Sequence, residues 1–114
     1  MAQLVRLSDF QSRRRKRQPL VAFNRAELNQ LIAVYSRRVI SGDWKAYAID
    51  HREGAALFSV FQHAYAKPLY TIVKLAGSRR GNWLIVADGQ RLRQGSSLAD
   101  VLRLFDRKLK VVSP

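Results

Sequence analysis

The sequence contains no cysteine, which removes disulfides, thiolate metal sites and thiol nucleophiles together. Long hydrophobic runs are missing too. Residues 1–10 hold no apolar stretch of signal-peptide length, and no later segment is long enough to span a bilayer. The expectation is a cytoplasmic protein with no membrane span. Catalytic signatures are also lacking: there is no Gly-x-Ser-x-Gly elbow, no His-Glu-x-x-His helix and no phosphate-cradling glycine loop. The ionisable residues closest to a constellation are Asp50, His51, Glu53 and His63, on strand-like segments where the two histidines could meet across a hairpin. A proton relay or metal site needs one face and one depth, and these residues fall at strand ends. They read as surface groups, so no enzyme activity, metal or cofactor is expected.

Negative charge is the other scarcity, with 8 Asp and Glu against 21 Lys and Arg, a net charge of +13 over 114 residues. Such an excess favours polyanionic partners and says nothing about fold. Six basic residues against Asp9 leave +5 in residues 1–22, and the remaining +8 belongs to the rest of the chain. Residues 1–22 combine a weakly apolar stretch (Leu4, Val5, Leu7, Phe10) with the run Arg13, Arg14, Arg15, Lys16, Arg17. Adjacent like charges repel, and the segment has too little apolar content to offset its ordering entropy. It reads as a disordered basic tail, either a nucleic-acid arm or a solubilising extension.

Residues 23–112 read as one domain organised around residues 56–61, Ala-Leu-Phe-Ser-Val-Phe, the central strand of an antiparallel sheet. A first helix starts at Asn24, which with Glu27 fits a capping box, and Phe23 with Leu28 fits the hydrophobic staple. Its apolar stripe is Leu28, Leu31, Ile32, Tyr35 and Val39, and Gly42 stops it. Arg37 and Arg38 near its end complement the helix dipole.

Strands follow at residues 44–51, 56–63, 69–76 and 83–87. Asp88-Gly89 is a hairpin signal that makes residues 90–94 a short fifth strand. Residues 77–82, Gly-Ser-Arg-Arg-Gly-Asn, read as an exposed hairpin tip. Ser97 and Asp100 cap a second helix with the stripe Leu98, Val101, Leu102, Phe105, Leu109. Arg103, Arg107 and Lys110 lie on its other side. The fold class is therefore α+β: helix, four- or five-stranded antiparallel meander, helix, with both helices on one sheet face.

The residues Phe23-Asn24-Arg25-x-Glu27-Leu28, Gly42-Asp43-Trp44-x-x-Tyr47-x-Ile49-Asp50, Phe58-Ser59-Val60-Phe61, Pro68-Leu69-Tyr70 and Leu104-x-Asp106-Arg107-Lys108-Leu109-Lys110 carry a resemblance. The chain resembles a family of short, mostly alphaproteobacterial proteins catalogued as a domain of unknown function. The resemblance covers roughly residues 23 to 112 and implies a bacterial cytosolic protein. It supplies no site residues.

Function therefore rests on the residues themselves. The arginine-rich arm supplies phosphate contacts, and Arg79 and Arg80 add a second basic site at the tip. Tyr47 with Lys45 and Tyr70 with Lys74 place aromatics near cations, the combination single-strand binders use for base stacking. Tyr47 and Tyr70 share their faces with Ile49 and Ile72, so the pattern equally allows both rings to lie under the helices. A helix-turn-helix is excluded because a strand follows the first helix. A double-stranded RNA-binding domain would have fewer strands and basic residues where the second helix begins. The sequence thus points to DNA or RNA binding of low sequence specificity by a monomer or weak homodimer. A protein-interaction module is the alternative.

Overall fold

The computed structural model describes residues 19–63 and 67–112, with side chains described as far as Asp106. The basic run at residues 13–17, the apolar residues 4–10, and the side chains of Arg107, Leu109 and Lys110 lie outside the described residues. The order is α1 (Arg25–Ile40), β1 (Ala46–Arg52), β2 (Ala55–Phe61), β3 (Tyr70–Leu75), β4 (Trp83–Ala87), β5 (Gln90–Gly95) and α2 (Leu98–Val112). The five strands form one antiparallel sheet in the order β1-β2-β3-β4-β5. This is the expected α+β meander, with the fifth strand present. No helix among the described residues is long and apolar enough to cross a membrane.

Local chemistry explains the boundaries. Asn24 accepts from the Glu27 main-chain N–H, and Glu27 Oε1 accepts from the Asn24 N–H, both at 2.8 Å. This reciprocal box satisfies two otherwise orphaned donors at the start of α1. At the β4–β5 turn Asp88 and Gly89 have φ values of 54° and 77°. Positive φ at both central residues is the type I′ geometry that matches strand twist. The Asp100 main-chain N–H donates to Ser97 Oγ at 3.3 Å to cap α2.

The register sorts the sheet into two faces. Phe58 pairs with Ile49 and Ile72, and Ile72 with Ile85, on the side that α1 and α2 cover. There Ala56, Phe58, Val60, Ile72, Trp83 and Ile85 meet Leu31 and Val34 of α1 and Leu98, Val101, Leu102 and Phe105 of α2 in one buried cluster. Trp44, just before β1, joins this core at 2% exposure.

Three boundaries or stripes differ from the sequence reading. The fold begins before residue 23: Leu20 bridges Glu53, the Val21 N–H donates to the Arg52 carbonyl at 3.0 Å, and Val21 is buried. Two apolar residues beside a strand end suffice to hold the chain there, so the tail assigned to residues 1–22 is too long. In α1 the buried stripe is Leu31, Val34 and Arg38, whereas Val39 is 41% exposed. Arg38, read from sequence only as a complement to the helix dipole, is 4% exposed. Its Nη1 donates to Asp43 Oδ2 at 2.8 Å, its Nη2 to the Phe105 carbonyl at 3.1 Å, and its guanidinium carbon lies 5.6 Å from the Trp44 ring centre. The acceptors and the ring hold the helix rotated so that Arg38, and not Val39, faces inward.

The histidines do not converge. Residue 61 pairs with residue 46 and residue 56 with His51, so His63 and His51 sit at opposite ends of the hairpin, roughly 20 Å apart at about 3.3 Å per residue. His51 packs edge-on against Phe23 at 5.9 Å between ring centres.

Candidate nucleic-acid interface

In a meander, alternate connections share an end of the sheet. The β1–β2 turn, the β3–β4 tip and the start of α2 therefore lie together, and the amino-terminal strand segment joins them. The Gly54 N–H donates to the Pro19 carbonyl at 2.9 Å, and the Ala76 N–H donates to the Gly54 carbonyl at 3.0 Å. Two hydrogen bonds thus connect Pro19, where the segment bearing Arg13, Arg14, Arg15, Lys16 and Arg17 joins the fold, to Ala76, the residue before the tip.

The tip is held in one shape by its own polar groups. The Ser78 N–H donates to Asn82 Oδ1 at 3.1 Å, and the Arg80 N–H donates to Ser78 Oγ at 3.3 Å. Gln94 of β5 donates from Nε2 to Ser78 Oγ and to the Gly81 carbonyl, at 3.3 and 3.2 Å. Gly81 has φ of 118°, and a Cβ there would overlap the carbonyl of Gly95. The loop is therefore seated directly on the β5–α2 junction. Only glycine permits that contact.

This seating leaves Arg79 and Arg80 exposed, and among the described residues neither side chain has an ion-pair partner. They border a shallow groove with Ser78, Asn82, Ser96 and Asp100. Asp100 adds an opposing charge, partly engaged by Arg93 at 3.7 Å. Arg25, at the first position of α1, is a further exposed cation at this end of the sheet. Sequence reasoning passed over it. The signal was available, because a helix that runs antiparallel to β1 must begin at the end where β1 stops.

The other four residues singled out from sequence do not join this group. Lys74 Nζ donates to Glu27 Oε1 at 2.8 Å and to the Ala22 carbonyl at 3.0 Å, and it lies 5.9 Å from the Trp83 ring centre. It fastens the start of α1 to β3. Tyr70 is half-buried between Phe105 and Trp44, with ring centres 5.0 and 6.3 Å away. Tyr47 is 44% exposed but stacks on Phe58 at 5.1 Å and meets Tyr35 edge-on at 4.8 Å. Both tyrosines occupy the helix-covered side, because period-2 alternation binds them to Ile49 and Ile72. Lys45 is exposed at the opposite end of the sheet from the tip. The sheet therefore presents no tyrosine platform for bases.

Among the described residues, no three His, Cys, Asp or Glu side chains are grouped to hold a metal ion. No curated protein and no solved structure matches the chain. The sequence model of a family described as Protein of unknown function (DUF2794) matches residues 21–102, nearly the whole span from the first buried residue to the middle of α2, and the chain belongs to that family.

Proposed function

We propose that the protein binds nucleic acid, DNA or RNA, with low sequence specificity. The arm residues Arg13, Arg14, Arg15, Lys16 and Arg17 act together with the fixed pair Arg79 and Arg80 on one phosphate backbone. The observation that carries this reading is the hydrogen-bonded link from Pro19 through Gly54 to Ala76, which starts the arm beside a tip whose two arginines have no acidic partner among the described residues. A basic segment tethered next to a fixed cationic pair raises the local concentration of one for a ligand held by the other. Arg25 adds to the same end. Tyr70 and Lys74 serve the fold, and Lys45 and Tyr47 lie apart from the contact. In this reading the protein works in the cytoplasm, without catalysis or a cofactor.

The test is fluorescence anisotropy with labelled single-stranded and duplex oligonucleotides over a salt series, comparing the full chain with one that starts at Pro19. The full chain is expected to bind both with a steep salt dependence. The shortened chain should bind more weakly, with a shallower but measurable slope. Absence of binding by the full chain at physiological salt rejects the reading. Complete loss on removing the arm rejects the role of the tip.

A further inference from the structure

The sheet face turned away from the helices is apolar, and no helix or strand among the described residues covers it. Strands β2, β3 and β4 read AALFSVF, YTIVKL and WLIVA. They are hydrophobic on both sides, the pattern of strands with a layer on each face. The register places Leu57, Val73 and Leu84 in one row across the uncovered side, with Ser59, Thr71 and Val86 in the next. Val73 is buried to 8% exposure yet stands outside the core cluster, and Leu57, Phe61, Leu75, Leu84 and Val86 are only partly exposed and do not pack on that cluster.

We propose that this face is a homodimer interface, in which the sheets of two copies pack face to face. Three observations select a second copy of the chain as the occupant. First, charge is confined to the edge strands, with Asp50 and Arg52 on β1 paired at 2.6 Å and Arg91 on β5. The middle of the contact therefore brings no like charges together, and a polyanion would find no cations there. Second, the size fits. Five strands at about 4.8 Å spacing and about 20 Å long give a footprint of about 480 Å² per copy, or about 1,000 Å² in all, the lower bound for a specific interface.

Third, the face is self-complementary. With the two-fold axis parallel to the strands, β1 of one copy runs over β5 of the other, and the register sets Arg91 level with Ala48, two residues along β1 from Asp50. Sheets stacked in this way form a sandwich about 10 Å thick at its core. The edges are poorer docking sites, because Arg91, Arg93 and the irregular register after Ile85 blunt β5. This inference is independent of the nucleic-acid reading. If both hold, the same axis puts two basic ends side by side.

The experiment is sedimentation velocity on the full chain, freed of nucleic acid at high salt, across a micromolar concentration series. Reversible dimerisation is expected. Val86→Glu, which would bury a carboxylate in the contact, should weaken it by about tenfold or more. Ser59→Arg, at the centre of the face, should do the same in a chain whose circular dichroism is unchanged. A chain that stays monomeric throughout overturns the proposal, as does a dimer indifferent to both folded variants. A full-length monomer that dimerises only when it starts at Pro19 also overturns it, because the occupant is then the chain's own amino-terminal segment.

Discussion

Arg38 donates from Nη2 to the main-chain carbonyl of Phe105 at 3.1 Å, joining α1 to α2 across 67 positions of sequence. The same guanidinium reaches Asp43 at 2.8 Å, and its Nε is buried with no hydrogen-bond partner among the described residues. A buried cation is retained at a desolvation cost, which makes its removal more disruptive than its net worth implies. Arg38→Ala should lower stability by about 2–4 kcal/mol, through lost packing on Trp44 and the severed tie between helices. Asp43→Asn should cost less, about 1 kcal/mol, because the Asp43 side chain is 38% exposed and water can replace part of the interaction. Urea titration followed by tryptophan fluorescence separates the two. Equal losses would show that the helix-to-helix bond adds nothing.

At the tip, Gly81→Ala is expected to destabilise by about 2 kcal/mol or more, since the new methyl must displace the Gly95 backbone. Gly89→Ala, in the open β4–β5 turn, has no steric neighbour within 4 Å and should cost only about 1 kcal/mol from its positive φ. Thermal melts of both variants compare contact with conformation directly. Gly81→Ala should also weaken oligonucleotide binding, whereas Gly89→Ala should not.

Replacing Arg79 and Arg80 together by alanine should leave the melting curve within about 0.5 kcal/mol of the parent, as expected for exposed side chains with no ion-pair partner among the described residues. The salt dependence of duplex binding should fall by up to about 1.8 in log–log slope, two phosphate contacts at about 0.9 each. An unchanged slope would remove the tip from the interface.

Tyr70→Ala tests the reassignment of the tyrosines. A ring packed between Trp44 and Phe105 should cost about 2–3 kcal/mol when truncated. Oligonucleotide affinity measured well below the melting temperature should stay within about twofold of the parent. Loss of affinity without loss of stability would restore Tyr70 as a stacking residue.

Asn24→Ala breaks a reciprocal cap and should cost about 1 kcal/mol. Glu27→Ala should cost more, because Glu27 Oε1 also accepts from Lys74 at 2.8 Å between half-buried partners. Calorimetry on both variants and on Lys74→Ala would show whether cap and ion pair act as one unit.

The cap and the Asp88-Gly89 turn were readable from sequence because each depends on a few adjacent residues whose chemistry admits one local geometry. The strands were readable for a related reason: alternation and apolar runs report burial directly. Arg38 was not. A helix stripe is read by hydrophobicity, and an arginine buried by Asp43, Trp44 and a main-chain carbonyl on another helix leaves no periodic trace. Tyr47 and Tyr70 were ambiguous because alternation fixes which residues share a face without saying which face the helices cover. Val21 was missed because two ordered residues at the edge of a basic tail are too few to form a pattern. In the candidate site, Arg79 and Arg80 were legible as a glycine-flanked tip. Their proximity to the chain entrance at Pro19 depends on the hydrogen bonds of Gly54, which no spacing rule encodes.

The strand order along the sheet is the strand order along the chain, so the whole sheet can be laid down by successive hairpins as synthesis proceeds. Only after the sheet comes α2, which supplies Leu98, Val101, Leu102 and Phe105 to the core and the described bond from that helix to Arg38. A released chain truncated at Ser97 would therefore carry a complete sheet with Phe58, Ile72 and Ile85 insufficiently covered. Such a product should partition to the insoluble fraction or be degraded, while a chain extended through α2 accumulates. Quality control of this protein thus rests on the helix that follows its sheet.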